Sequence, residues 1–515
     1  MLQIETKVGR GTEKSRSVTL GRLKTVYLLQ IKTFCWNDRN IAALSPFALT
    51  SLSRPSVNRY VRSNPSALGN NGQMSKLIVR EELDMATADR PTLFINATVL
   101  DGSEHMEPQP DMAVAVERGV ITWMGPSAVA QAPAGAEVID LAGAYLMPGL
   151  INMHVHLCGS GKPVSAGDAG ALMKKLDNPV GRAIVRHILK GSAQQQLASG
   201  VTTVRGAGDP LFADIAVRNA IDAGKYQGPR LVAPGTGVTV PDGHGAGLFA
   251  QVATSPAEAA EQVRDLYARG ADVIKLFVTG GVFDATEVGE PGVLRMQPEL
   301  VKAACDKAHS LGMIVAAHVE SPEGVMVALQ NGVDSIEHGA QPSDEMITLF
   351  KQRKAFQIST ISPALPYALF DRSISHATYE QQENGKIVFD GIVALAKANL
   401  AAGVPVGLGT DVGCPYITHY DMWRELHYFV KYCGVTPAFA LYSATKLNAR
   451  LAGIGDLTGS IEADKQADLI VCSGNPLQNL SALRELDMVV KGGYRIDKPQ
   501  IKKMDEVERE LDKFL

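Results

Sequence analysis

The chain has 515 residues, 45% of them hydrophobic and 20% charged, with a formal net charge of −4. This balance fits a globular α/β protein with room for one large domain and an accessory module, and the lack of an unbroken apolar run of spanning length argues against a membrane-crossing helix. The six cysteines are scattered without C-x-x-C spacing, so neither a disulfide framework nor a cysteine metal knuckle is expected, and a reducing, cytoplasmic setting fits best.

In chain order, the first segment stands apart. Up to Arg80, 13 Lys and Arg face 3 Asp and Glu, which leaves the remainder acidic. Its best apolar stretch, "TVYLLQIKTFCW", is interrupted by Lys32, which argues against a secretory signal. Three readings stay open for residues 1–84: an organellar transit peptide, a disordered or binding tail, or an upstream start that is not native, since "MATADRPTLFIN" at Met85 reads as a natural beginning. Basic composition alone is no argument for nucleic-acid binding.

From Thr92 the runs are short and β-like, "TLFINATVLDG", "MAVAVERGVITWMG" and "AEVIDLAGAYLMPG", each bounded by turn-forming Gly, Pro or Asp. They predict a small sheet module over residues 85–147. Over residues 148–452 eight apolar runs of strand length follow, namely "GLINMHVH", "VTTVRG", "RLVAPG", "VIKLFV", "IVAAHV", "DSIEHG", "FQISTI" and "PVGLGTD". Helical stretches separate them; in "SPAEAAEQVRDLYARG", Ser255 is a candidate N-cap, Pro256 opens the helix and Gly270 follows its end. This alternation predicts an α/β protein built on a parallel (β/α)8 TIM-like barrel. Residues 453–515 return to short strands in "ADLIVCSGNP" and "MVVKGGYRI". These are expected to join the first module in one small β-sandwich, followed by a C-terminal tail.

The polar residues inside these runs carry the chemistry. His154 and His156, in "LMPGLINMHVHLCG", lie two apart on a predicted strand, so both project from one face. Two convergent imidazoles suit a divalent metal, although H-x-H alone is also a buried hydrogen-bonded pair. Lys275 lies in "DVIKLFVTGG", His318 near the end of "IVAAHV", His338 near the end of "DSIEHG" and Asp411 at the end of "VGLGTD". Singly, each has a structural reading: an ion-pair partner, core histidines, a helix cap. Buried without partners they would be costly, and their recurrence on the first, fourth, fifth, sixth and eighth runs points to one shared site. Three further residues are candidate substrate contacts: His244 in the glycine-rich "VTVPDGHGAGLF", Tyr367 in "ISPALPYALF", and Arg205 closing the second run as an anion contact. A plain loop histidine and ordinary tyrosine packing are the competing readings. The segment "TGGVFDATEVGEPG" reads as a pocket wall.

Taken together these motifs resemble the amidohydrolase superfamily over Thr92 to about Ile496. The carriers are "DLAGAYLMPGLINMHVH", the metal-bearing runs, and the C-terminal "ADLIV", "NPL" and "VVKGG". "IKLFVTGGV" and "GHG" are most similar to the branch of Xaa-Pro dipeptidases and ochratoxin-type amidases, with imidazolonepropionase-like amidohydrolases alongside. The resemblance implies two divalent metal ions, zinc foremost, with cobalt, manganese or nickel as replacements. His154, His156 and Asp411 would hold the first and His318 and His338 the second. Lys275 would bridge them after carbon dioxide converts its neutral amine to an N6-carboxylate, since a free lysine with a pKa near about 10.4 would present a cation. A shared hydroxide would attack, with Asp411 as general base and acid, so Cys158 and Cys414 beside these motifs are not needed as nucleophiles.

The implied partner is a small-molecule amide: a dipeptide, an N-acyl amino acid or an ochratoxin-like compound. A cyclic amide, carbamate or ester is the alternative. The resemblance also implies a homo-oligomer, with no nucleic-acid or membrane partner. Deaminases of this fold carry H-x-x-E after the fifth strand, whereas "HVES" places Glu320 only two positions after His318. Structural relatives that have lost their ligands are a further class, but here all six ligand positions are filled.

Overall fold

A computed structural model describes residues 90–163 and 169–515. The basic lead, residues 1–84, and the expected start at Met85 lie outside them. β1 (Thr92–Val99), β2 (Gln109–Glu117), β3 (Val120–Pro126), β4 (Glu137–Asp140) and β5 (Tyr145–Pro148) are the short strands read from the sequence. They join three strands from the far end of the chain, β16 (Leu469–Cys472), β17 (Met488–Lys491) and β18 (Tyr494–Asp497). The order is β18-β17-β16-β5-β1-β2-β3, with β4 on β1. Antiparallel pairing of β5 with β16, Met147 opposite Ile470, makes the junction. The two ends therefore do combine, but hydrogen bonding makes them one eight-stranded sheet where two facing sheets were expected. Phe94, Val114, Leu146, Leu469 and Val490 belong to the buried cluster of this module.

All eight apolar runs of the middle region form parallel strands. β6 (Leu150–Val155), β7 (Val201–Gly206) and β8 (Arg230–Val232) make one parallel sheet. β9 (Gly237–Thr239) and β10 (Ala250–Val252) are two additional short strands. They lead into β11 (Ile274–Phe277), β12 (Val315–Val319), β13 (Ser335–His338), β14 (Phe356–Ser359) and β15 (Val406–Leu408), a second parallel sheet in the order β10-β9-β11-β12-β13-β14-β15. The sheets meet beside β6: Asp411 N–H donates to His154 O at 2.8 Å and His156 N–H to Val412 O at 3.0 Å. Among the described residues no ladder joins β8 to β9. Pro234 there has no N–H to give and Gly235 turns the chain at φ 75°, which breaks a ladder.

β6, β11, β12, β13 and β14 are buried along their whole length, as parallel strands covered on both faces must be. Local signals terminate the helices between them as expected. Ser255 accepts from Glu258 N–H at the start of the helix Pro256–Ala268, and Gly270 (φ 90°) lies beyond its end. No described helix is long and apolar enough to cross a membrane.

Candidate metal centre

The parallel strands bring polar side chains to one end of the region by simple alternation. On β6, Asn152 and His154 share a face, and His156 follows just past the strand. Asn152 fixes the neighbouring chain, donating from Nδ2 to Thr410 Oγ1 at 2.7 Å and accepting from Thr410 N–H at 3.0 Å. That clasp sets Asp411 against the histidines, with Oδ1 3.4 Å from His154 Nε2 and 3.5 Å from His156 Nε2. Gly409 permits the approach, since a Cβ there would lie 2.6 Å from His154 Cβ. Asp411 and His338 both hold left-handed backbone, φ 50° and 67°. That conformation costs a non-glycine residue about 1–3 kcal/mol and persists where the surroundings over-determine it, as functional sites do.

A second set faces the first. One ring nitrogen each from His318 and His338 and one carboxylate oxygen of Glu320 lie within 4.8 Å of one another, as do donors of His154, His156 and Asp411. The rings of His154 and His338 are 4.8 Å apart, and those of His318 and His338 4.6 Å. Lys275 lies between the sets with Nζ 3.4 Å from His154 Nε2. The structure thus brings together all six residues read from the sequence as ligands.

Three of the four imidazoles are oriented through Nδ1, and His318 through Nε2, which donates to Gly280 O at 3.2 Å. His154 Nδ1 lies 2.8 Å from Glu337 Oε2, His156 Nδ1 2.6 Å from Gly208 O, and His338 Nδ1 2.7 Å from Thr360 Oγ1. This arrangement turns the other nitrogen toward the centre as an acceptor, the usual support of a metal-binding histidine. Burial, followed by the nearby Lys275 charge, holds His154 well below the usual imidazole range and His156 at about 3. Burial and neighbouring histidines do the same for His318 and His338. All four rings are therefore neutral donors at neutral pH. His338 Nε2 is buried without a hydrogen-bond partner, a position that a cation fits and an apolar core does not.

Burial also pushes Lys275 down to about 8, against the pull of Glu337 and Asp411, and pushes Asp411 up to about 7, against Lys275 and His244. Both groups thus hold proton affinities close to neutral, an arrangement found at reactive sites. The thiols of Cys158 and Cys414 are driven well above their usual range, chiefly by burial, and offer no thiolate.

The candidate substrate contacts divide. His244 stacks on His318, ring centroids 4.4 Å apart, and is hydrogen-bonded to Asp284, so it lies beside the second set. Tyr367 belongs to the helix Ile361–Leu369 and packs edge-on against Phe283 at 5.0 Å. Arg205, read from the sequence as an anion contact, is placed differently. It is 1% exposed and engaged on all sides, with Nη2 2.6 and 2.7 Å from the Glu337 carboxylate oxygens, Nη1 3.3 Å from Ser335 Oγ and Nε donating to Met153 O at 2.8 Å. Its charge is taken up by Glu337, through which it supports His154.

Sequence reasoning missed Glu337 and the company Glu320 keeps. Signals existed for both: a carboxylate within the buried "SIEH" demands a cation, and Glu320 sits at strand spacing from His318, on the same face.

Comparison with known proteins bears on this arrangement. Residues 145–496 match the profile of the Amidohydrolase family. Ochratoxinase from Aspergillus niger is 25% identical over 507 residues, covering 90% of this chain and 97% of its own. A candidate prolidase from Bifidobacterium longum, solved by crystallography, is 36% identical with a TM-score of 0.73, covering 82% of this chain and 98% of its own. A Xaa-Pro dipeptidase crystallised with methionine in its active site is 30% identical with a TM-score of 0.69, covering 79% and 100%.

Proposed function

Because the chain belongs to the amidohydrolase family and is accordingly a hydrolase acting on carbon–nitrogen bonds, we propose that it cleaves the amide bond of a small molecule, a dipeptide or an N-acyl amino acid, at a centre of two divalent cations. The observation that carries this reading is the cluster of His154, His156 and Asp411 facing His318 and His338 around the buried Lys275. The similarity to a Xaa-Pro dipeptidase and to ochratoxinase supports the amide class. In this reading the two parallel sheets are the halves of a (β/α)8 barrel with the site at the C-terminal ends of its strands, where such barrels place their chemistry.

Zinc suits the nitrogen and oxygen donors, with cobalt, manganese or nickel as substitutes. The cations supply Lewis-acid polarisation of the carbonyl and acidify a water to a pKa of roughly 7. The remaining work falls to the chain. Glu337, Gly208 and Thr360 hold the histidines in the tautomer that presents a lone pair inward. Lys275, whose amine burial makes easier to deprotonate, would as the neutral amine form an N–C bond to carbon dioxide and release one proton to water, and the resulting anionic carbamate would help hold the cations. Asp411 accepts the proton of the attacking water and delivers it to the leaving nitrogen. His244, held by Asp284, would hydrogen-bond the substrate, and Tyr367 with Phe283 would form an apolar wall.

The same centre would also open a cyclic amide, a carbamate or an ester. A hydrolysis screen over dipeptides, N-acyl amino acids, lactams, carbamates and esters, run alongside metal analysis, separates these. Turnover of a linear amide above all other classes supports the proposal. Turnover confined to lactams, carbamates or esters selects the alternative, and a metal-loaded protein inert to all of them would defeat both.

A further inference from the structure

We propose that Glu320 is a direct ligand of the second cation, so that His318, Glu320 and His338 hold that ion without requiring Lys275. The proposal rests on the metal-dependent reading above and adds a ligand which that reading does not need. Two histidines and a carboxylate are a donor set that binds zinc while leaving a coordination position open. The three donors lie within 4.8 Å of one another; donors about one zinc ion, at bond lengths of about 2.1 Å, stand about 3.5 Å apart.

Independent features point at the same spot. Thr360 fixes His338 through Nδ1 at 2.7 Å, and the opposite nitrogen is buried with no partner. His338 itself is 1% exposed. His318 Nε2–H donates to Gly280 O at 3.2 Å, which leaves Nδ1 as the nitrogen with a free lone pair, and a Cβ on Gly281 would stand 3.3 Å from both the His318 ring and Glu320 Oε2. The Glu320 carboxylate therefore lies against the His318 ring, with glycine leaving the room for it. Val282 N–H donates to Glu320 Oε2 at 3.0 Å and so fixes the carboxylate there. Lys275, by contrast, leans toward the first set, 3.4 Å from His154.

The test measures ion binding, not turnover. Full-length protein is stripped with a chelator and titrated with Co2+ in buffer free of carbon dioxide, following bound equivalents by elemental analysis and the visible absorption of coordinated cobalt. Lys275→Ala is expected to keep one tight equivalent. Adding Glu320→Gln should weaken that equivalent at least ~10-fold, since even outer partners of a ligand are worth about 10–100-fold in affinity. Circular dichroism checks the fold of each variant. If Glu320→Gln does not fold, Glu320→His, which substitutes another ligand, replaces it and should retain the equivalent; its loss from folded protein counts against the assignment. The proposal is overturned if Lys275→Ala binds no ion, or if adding Glu320→Gln changes neither affinity nor spectrum. Wild-type protein that binds two ions but hydrolyses no amide would sink the functional reading and leave this assignment standing.

Discussion

Arg205 Nη2 lies 2.6 and 2.7 Å from the two oxygens of Glu337, and the same carboxylate meets His154 Nδ1 at 2.8 Å. A guanidinium on β7 thus sets the orientation of a histidine of the candidate centre on β6 through a carboxylate on β13. All three side chains are buried, so none can turn to water for a substitute partner.

Glu337→Gln keeps the shape of this link and removes its charge. Arg205 is then a buried, uncompensated cation, and breaking a buried pair from one side costs about 3–5 kcal/mol. We expect a loss of that size in unfolding free energy by denaturant titration of the metal-free protein. Metal affinity should also weaken by about 10–100-fold as His154 loses its support. A variant within about 1 kcal/mol of the native protein would show that the pair is not the determinant.

Lys275→Ala is expected to lower bound metal from two equivalents to one and to reduce turnover by at least ~100-fold. Added short-chain carboxylic acids should restore part of the rate by standing in for the carboxylated side chain. Because the amine sits at about 8 and only its neutral form reacts with carbon dioxide, reloading of stripped wild-type protein should quicken with bicarbonate, and more so at pH 8 than at pH 6. Metal content and rate that match wild type in the variant would remove the bridge from the mechanism.

Asp411→Asn should largely retain metal while turnover falls by ~10²–10⁴-fold, the scale of a lost general acid and base. A pH signature accompanies it. In the metal-free protein burial pushes Asp411 up to about 7, whereas His156 is at about 3 and the other ligand imidazoles lie well below their usual range. Between pH 5 and 7 the proton competing with metal at the first set is therefore carried by the carboxyl. Raised above its unfolded value, this group binds more protons folded than unfolded, so its contribution to apoprotein stability declines as pH rises from about 4 to 7. Wild-type metal affinity should fall as pH drops through 7, and the asparagine variant should lose most of that dependence. An unchanged profile with near-native turnover would turn attention to His244.

A chain beginning at Met85 keeps every strand from β1 onward and all the residues of the centre. Its metal content and catalytic constant should equal those of the full chain, as measured by elemental analysis and steady-state kinetics. Failure of this shorter chain to fold, where the full chain does, would make the basic lead part of the folding unit.

The strands, their parallel alternation with helices, and the six polar residues that meet at the candidate centre were legible in the sequence alone. These are local facts: a period of two sends His154 and His156 the same way, and each polar residue closing an apolar run declares itself against its neighbours. Tertiary structure decided what those residues meet. Arg205 read as an anion contact because it closes a run, yet pairing of β6 with β7, and the approach of β13 from more than a hundred residues away, give its charge to Glu337. The continuous sheet through β5 and β16, and the entry of Glu320 into the second donor set, likewise depend on register between distant segments. Periodicity records which face a side chain takes, whereas the partner of a buried charge follows from which strand lies opposite, and that is settled only when distant segments pack together.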